Sequence, residues 1–213
     1  MVHTVSHEGV KVDPSKTKAI KEWKIPTSIM HLRGFLGLTR YYCKFVKNYG
    51  RIAAPLTTLS KKDAFSWTPK ATKAFEHLKE EMCQALVLAT PNFTKTFIVE
   101  CDASGNGIGV VLMQDERPIA FESCPIKGKF LHKAIYEKEM LAILHALKKW
   151  RPYLMGRHFK VKTDNDSLKY FLEQILSSEE QQKWVTKMLG YDFEIIYKKW
   201  KQNVVADALS RKD

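Results

Sequence analysis

No hydrophobic run in this chain reaches the length of a membrane-spanning helix. The first residues, MVHTVSHEGVKVDPSK, hold no apolar stretch of signal-peptide type. Both absences lead us to expect an intracellular protein with no membrane partner. Cysteine is scarce, limited to Cys43, Cys83, Cys101 and Cys124, and no two stand in C-x-x-C spacing. That argues against a zinc site. The four are scattered through apolar stretches, as reduced intracellular thiols are. No internal repeat or low-complexity tract interrupts the chain. Acid is short relative to base, with 23 Asp and Glu against 35 Lys and Arg and a net charge of +12. Nucleic acid is therefore the first partner to consider and an anionic membrane surface the second, although a solvated basic protein would look the same.

What is present suffices for one or two domains with real cores. The 213 residues are 45% hydrophobic and include 11 Phe, 8 Tyr and 5 Trp. The charge is uneven. Residues 1–92 hold 15 Lys and Arg against 7 Asp and Glu, and residues 93–213 hold 20 against 16.

Everything to about residue 90 reads as small helices. Asp13-Pro14 opens one that runs to about Trp23, with proline tolerated in the first turn. Thr27 or Ser28 caps a second, in which Leu32, Phe35, Leu36, Leu38, Tyr42, Phe45 and Val46 recur near helical spacing. Its other side carries Arg33, Arg40, Lys44 and Lys47. A third follows Arg51. Thr68-Pro69 begins a fourth, with Ala71, Ala74, Phe75, Leu78 and Met82 on one face. Pro91 and Asn92 break this pattern, and the expected domains are 1–90 and 91–213.

The second region alternates. Residues 96–102, 107–114 and 117–123 read as an antiparallel meander turning at Asp115-Glu116. A long helix spans Lys133–Trp150, with Ile135, Met140, Ile143, Leu144 and Leu147 mostly inward. A strand at 159–163, helices near 167–172 and 179–189, a strand at 193–198 and a helix at 204–210 complete the order βββαβααβα. This predicts an α/β (α+β) fold with a mixed five-stranded sheet flanked by helices.

Four acids stand where such a topology could gather them. Asp102 ends the first strand of the meander, Glu139 lies near the start of the long helix, Asp164 ends the fourth strand, and Asp207 lies in the last helix. Bunched carboxylates suit Mg²⁺ or Mn²⁺, hard ions that favour oxygen ligands. Two such ions can activate water and stabilise the leaving oxygen of a phosphodiester. Each acid also has a plainer reading: Asp after a strand as a turn former or helix cap, Glu137 and Glu139 as exposed helix residues, Asp207 as a solvated charge.

Several segments carry a resemblance. They are Gly34-Phe35-Leu36-Gly37-Leu38-Thr39-Arg40-Tyr41-Tyr42, Ala54-Pro55-Leu56, Phe65-Ser66-Trp67-Thr68, Cys101-Asp102-Ala103-Ser104, Glu137-Lys138-Glu139-Met140-Leu141-Ala142-Ile143, Trp150-Arg151-Pro152-Tyr153-Leu154-Met155-Gly156, Thr163-Asp164 and Asn203-Val204-Val205-Ala206-Asp207-Ala208-Leu209-Ser210-Arg211. In this order they resemble the reverse transcriptase–ribonuclease H polyprotein of gypsy-type long-terminal-repeat retrotransposons, particularly plant elements. The resemblance implies a ribonuclease H-like domain over 91–213 that hydrolyses the RNA strand of RNA–DNA hybrids, preceded over 1–90 by a helical thumb/connection remnant. It implies catalysis by two Mg²⁺ or Mn²⁺ ions held by Asp102, Glu139, Asp164 and Asp207. Glu137 competes for the second role, and Glu139 is preferred because it directly precedes the Met-Leu-Ala stretch.

Further expectations follow from the same family. There the basic helices, with Arg33, Arg40, Lys44 and Lys47, would contact phosphates of the duplex; Ser104, Asn106 and the glycine-rich turn after Asp102, by their closeness to the proposed metals, would contact the scissile strand. Tyr41, Tyr42 and Trp23 are read mostly as core. The polymerase palm of the family carries an Asp-Asp pair, which this sequence lacks, so polymerisation is not expected; candidate partners besides the hybrid are the missing palm and fingers or other element proteins. The family acts in cytoplasmic particles, and a nuclear site is the alternative. Asn165 stands where the family usually has His, Trp200 where it has Gly, and Cys43 and Cys124 where it has Arg. These departures motivate a second reading, a catalytically decayed nucleic-acid-binding remnant.

Overall fold

The computed structural model describes residues 3–7, 9–61, 64–85, 87–104, 107–164, 168 and 179–197. The chain divides into two compact units, Met1–Thr90 and Pro91–Asp213.

The first unit is four helices and a hairpin. The hairpin strands, β1 (His3–Ser6) and β2 (Gly9–Val12), pair antiparallel. This corrects the all-helical expectation. Strands of four residues are too short to display alternation, and β2 is held by a distant partner: Val10 N donates to Leu88 O at 2.8 Å, and Leu88 N to Val10 O at 2.9 Å. Gly9 turns the chain there with φ +139°, and a Cβ at this position would collide with the Leu88 carbonyl.

Each of three helices starts on a side-chain cap that satisfies an otherwise unpaired backbone N–H. Helix α1 (Pro14–Lys21) starts on Asp13, whose carboxylate accepts from Ser15 N, with Pro14 in the first turn. Ser28 accepts from His31 N to start α2 (Ile29–Tyr41). Helix α2 ends earlier than its apolar spacing suggested, and Cys43–Phe45 form a 3₁₀ turn, yet Phe45 and Val46 stay buried. Helix α3 (Tyr49–Leu59) follows. Thr68 accepts from Ala71 N to start α4 (Pro69–Cys83), which buries Ala71, Ala74, Phe75, Leu78 and Met82 as its spacing predicts. The Phe35 and Phe75 rings meet at 4.6 Å in the core, and Trp23 packs on Phe35. Tyr42 is buried, whereas Tyr41 is exposed and stacks on His3.

The second unit is built on a five-stranded sheet in the order β5-β4-β3-β6-β7. Its strands are β3 (Phe97–Ser104), β4 (Gly107–Gln114), β5 (Arg117–Pro125), β6 (His158–Thr163) and β7 (Asp192–Tyr197). Strands β3 to β5 form the antiparallel meander. Its tight turn places Asp115 and Glu116 at φ 48° and 59°, as a two-residue hairpin loop requires. Strands β3, β6 and β7 run parallel. The Gln114 side chain ties the entry of the unit by bonding Asn92 N, Asn92 O and Lys95 O.

Helix α5 (Ile135–Lys149) lies over β3 and β4 and buries Glu139, Met140, Ile143, Ala146 and Leu147. Ile135 was expected inward but is 71% exposed. It occupies the first helical position, and the buried stripe begins a turn later. A 3₁₀ helix at Gly128–His132, the short α6 (Arg151–Leu154) and α7 (Glu179–Met188) complete the described elements. Apart from the buried Leu168, the helix expected near 167–172 lies outside the described residues, as does the one at 204–210.

Replacing Gly9 by alanine should destabilise the first unit by about 1–3 kcal/mol, because alanine must adopt a strained φ and push on the Leu88 carbonyl. Chemical denaturation of the two forms measures the difference, and equal midpoints would refute the packing argument.

Candidate metal centre

The parallel register of β3 and β6 does most of the assembly. Val99 pairs with Val161 and Glu100 with Lys162. Two residues further on stand Asp102, still within β3, and Asp164, the first residue past β6. Residues two apart in a strand share a face, so both carboxylates arise on the same side at the same end of the sheet. Helix α5 contributes Glu139 from its second turn. One oxygen from each of Asp102, Glu139 and Asp164 lies within 4.8 Å of the others.

Glu139 is pinned at both oxygens. Oε1 accepts from Ala103 N at 2.6 Å, and Oε2 accepts from Thr163 Oγ1 at 3.2 Å. Thr163 and Ala103 each neighbour one of the aspartates in sequence. Thr163 ends β6 and Asp164 follows it, so the hydroxyl and the carboxylate both reach Glu139 from adjacent positions. Glu139 is 1% exposed and Asp102 4%, with Asp164 half-buried.

This crowding has an electrostatic signature. Burial, then the neighbouring charges of Asp102 and Asp164, push Glu139 up to about 8, against the downward pull of the Ala103 and Thr163 hydrogen bonds. The Cys101 thiol beneath is also raised well above its ordinary value, by burial first and then by the charges of Glu139, Asp102 and Glu100. The donor set fits a hard divalent cation: three carboxylates, largely shielded from water, with excess negative charge to be balanced.

Other expected site residues fall elsewhere. Glu137 does not join the cluster. It accepts from Ala134 N at 3.2 Å and pairs with Lys133 at 3.0 Å, so it caps the start of α5. Ser104 ends β3 opposite Gly107. Asn106 and Asp207 lie outside the described residues, as do Asn165 and Trp200. Arg33, Arg40, Lys44 and Lys47 belong to the first unit. Arg33 donates to Ser60 O at 2.9 Å. Arg40 is exposed in the last turn of α2. Lys44 lies over the Phe45 ring, and burial lowers its pKa; Lys47 is half-buried. The sequence reading missed Thr163 as the hydroxyl that orients Glu139. Its place before Asp164 at a strand end was legible, but its partner was not.

Comparison with known proteins agrees with this geometry. Residues 67–161 match the family described as RNase H-like domain found in reverse transcriptase. The chain is 40% identical over 211 residues to the retrovirus-related Pol polyprotein from transposon 297 of Drosophila melanogaster, covering 98% of this chain and 20% of that protein. It is 34% identical over 223 residues to the Pol polyprotein from transposon gypsy of the same fly, covering 98% and 22%. This chain belongs with the retrovirus-related Pol polyproteins of transposons. It spans about a fifth of the length of those Pol relatives. Among solved structures, foamy viral protease-reverse transcriptase in complex with RNA/DNA hybrid shares the fold, with a TM-score of 0.84 at 19% identity over 99% of this chain and 30% of that one. The same viral protein in complex with double-stranded DNA gives 0.82 at 19% identity, over 93% and 44%. The five-stranded mixed sheet of this Pol segment is thus an RNase H-like fold.

Two outcomes follow for this Pol segment. Without metal, folded Glu139 keeps its proton up to about pH 8, whereas unfolded glutamate releases it near pH 4.3. The native state therefore binds more protons between these values, and stability should fall as pH rises through that window and level off above it. Glu139→Gln should flatten the decline in a series of denaturant titrations in chelator; an unchanged slope would show that another group is responsible. Removing the orienting hydroxyl by Thr163→Val should weaken Mn²⁺ binding about 10- to 100-fold, read by calorimetry, and an unaltered affinity would deny Thr163 that role.

Proposed function

We propose that this chain is a metal-dependent ribonuclease H that hydrolyses the RNA strand of RNA–DNA hybrids, with Asp102, Glu139 and Asp164 as its metal-binding catalytic acids and Asp207 as the fourth. The gathering of three carboxylate oxygens within 4.8 Å carries this reading. The transposon relatives and the hybrid-bound viral neighbour supply the substrate class.

Asp102, Glu139 and Asp164 would hold two Mg²⁺ or Mn²⁺ ions, which activate a water and stabilise the leaving 3′-oxygen when bound. The protein's share is positioning. The Ala103 N–H and Thr163 hydroxyl keep Glu139 aimed between the strand ends. The paired ends of β3 and β6 hold the two aspartates at fixed separation, which avoids reorganisation during the reaction. The turn after β3, with Ser104 and Asn106, is the proposed contact for the scissile strand. The exposed Arg40 and its neighbours Arg33, Lys44 and Lys47 are proposed to meet duplex phosphates, which give affinity without reading sequence. DNA polymerisation is not assigned to this chain.

The test is cleavage of labelled hybrid by the purified chain in Mg²⁺ or Mn²⁺, beside Asp102→Asn. The expected result is metal-dependent cutting of the RNA strand that falls at least about 100-fold in the variant. Hybrid binding without cutting in either form would overturn the enzyme and favour the decayed binding remnant suggested by the substitutions at Asn165 and Trp200.

A further inference from the structure

A second cluster of titratable side chains lies away from the carboxylates, and it contains a nucleophile. Cys124, half-buried near the end of β5, places Sγ 3.9 Å from Nδ1 of His145 on α5. The other ring nitrogen, Nε2, lies 3.7 Å from Glu122 Oε1. Glu122 Oε2 is in turn held by Lys149 Nζ at 2.6 Å. Glu122 and Cys124 are two apart on β5 and so share the face that α5 covers. The order is thiol, imidazole, carboxylate, ammonium.

This is the arrangement of an activated nucleophile, in which a base faces the thiol and an acid orients the base. The electrostatics agree with it. Cys124 and then Glu122 hold His145 in its protonated form up to about 9, against burial. Burial alone would raise Glu122, but His145 and Lys149 outweigh it and keep the carboxylate ionised. An imidazolium would put one ring nitrogen toward the sulfur and pair the other with Glu122 at ion-pair distance, without a direct hydrogen bond.

Beside the cluster runs a groove of about 1070 Å³, bordered by Pro125 and His145. Its lining brings Lys127 from the segment after β5, Lys148 and Arg151 from α5 and α6, and Lys187 from α7. The charged side chain held against the imidazole is Glu122, itself paired with Lys149. The groove is roomy enough for a small molecule and favours an anionic one.

We propose that Cys124 is a reactive thiol that exchanges with anionic low-molecular-weight disulfides admitted by this groove, making it a site of reversible thiolation. The Cys124 thiol gives its proton to water, the His145 imidazolium faces the resulting thiolate, and the thiolate attacks one sulfur of the disulfide. A new S–S bond forms, the incoming S–S bond breaks, and its second half leaves as a thiolate that takes up a proton from water. The disulfide is the oxidant, so the step balances.

Glutathione disulfide, which carries several carboxylates, is the probe, with peptide-resolved mass spectrometry of the full chain as readout. The exposed Cys83 is the internal reference, and Cys101 is buried. At about pH 6, Cys124, which faces the His145 ring, should be modified at least about 10-fold faster than Cys83. His145→Ala should abolish this advantage while leaving the Cys83 rate unchanged. The wild-type ratio decides even if that variant folds poorly: Cys124 reacting no faster than Cys83 at about pH 6 overturns the proposal. A neutral disulfide, 2-hydroxyethyl disulfide, should show a smaller advantage, and equal advantages would refute the anionic preference.

Discussion

The parallel pairing of β3 with β6 at the centre of the sheet is the constraint on which the candidate site depends. Asp102 lies near the end of β3 and Asp164 directly follows β6, and because the two strands run in step, those aspartates emerge side by side. A slip of one residue would send one carboxylate to the opposite face. Glu139 then reaches the same point from α5. Two charge-assisted hydrogen bonds to it stabilise its anion by about 1.5–3 kcal/mol each. Burying a carboxylate costs several kcal/mol, and two like charges nearby add to that. The hydrogen bonds therefore do not close the gap, and a proton or a cation must. A pocket built this way is strained until something positive enters it, which is why it reads as a binding site and not as a structural ion cluster.

The rest of the second unit serves to hold that register. Phe97, Val99, Val161 and Phe159 fill one face of the central strands, and Met140, Ile143 and Ala146 of α5 are likewise fully shielded. A buried core of this density resists sliding of one element past another. The Gln114 side chain anchors the start of β3 by taking up backbone groups at Asn92 and Lys95. The first unit has its own core around Phe35, Phe75 and Leu78, so its helices are secured by their own caps and rings.

Helix α5 shows how one element serves two chemistries. Glu139 and His145 are six residues apart, which turns them to different sides of the helix. One meets the ends of β3 and β6; the other meets β5. The same rigid rod thus presents an acid to a pair of acids and an imidazole to a thiol, and the opposite electrostatics of the two sites follow from the strand each faces. The mixed sheet supplies both neighbourhoods because its antiparallel and parallel halves meet at β3.

Much of this was written in the chain order. Proline and side-chain caps marked the starts of α1, α2 and α4, alternation marked the meander, and Asp115-Glu116 marked its turn, because these are local effects of backbone sterics and side-chain chemistry. Asp102, Glu139 and Asp164 were legible as candidates from their places at strand ends and on a helix. Local pattern could not show the hairpin at His3–Val12, which depends on Leu88 far along the chain, or that Ile135 lies outside the buried stripe. Nor could it choose between Glu137 and Glu139 on geometry, or find Thr163 and the Cys124–His145 contact. Sequence alone determined the capped helices, the meander and which acids were available, since those follow from neighbours along the chain. Tertiary structure decided which acids meet, what orients them and how strongly they repel, because strand register and helix packing set distances that no local interaction specifies.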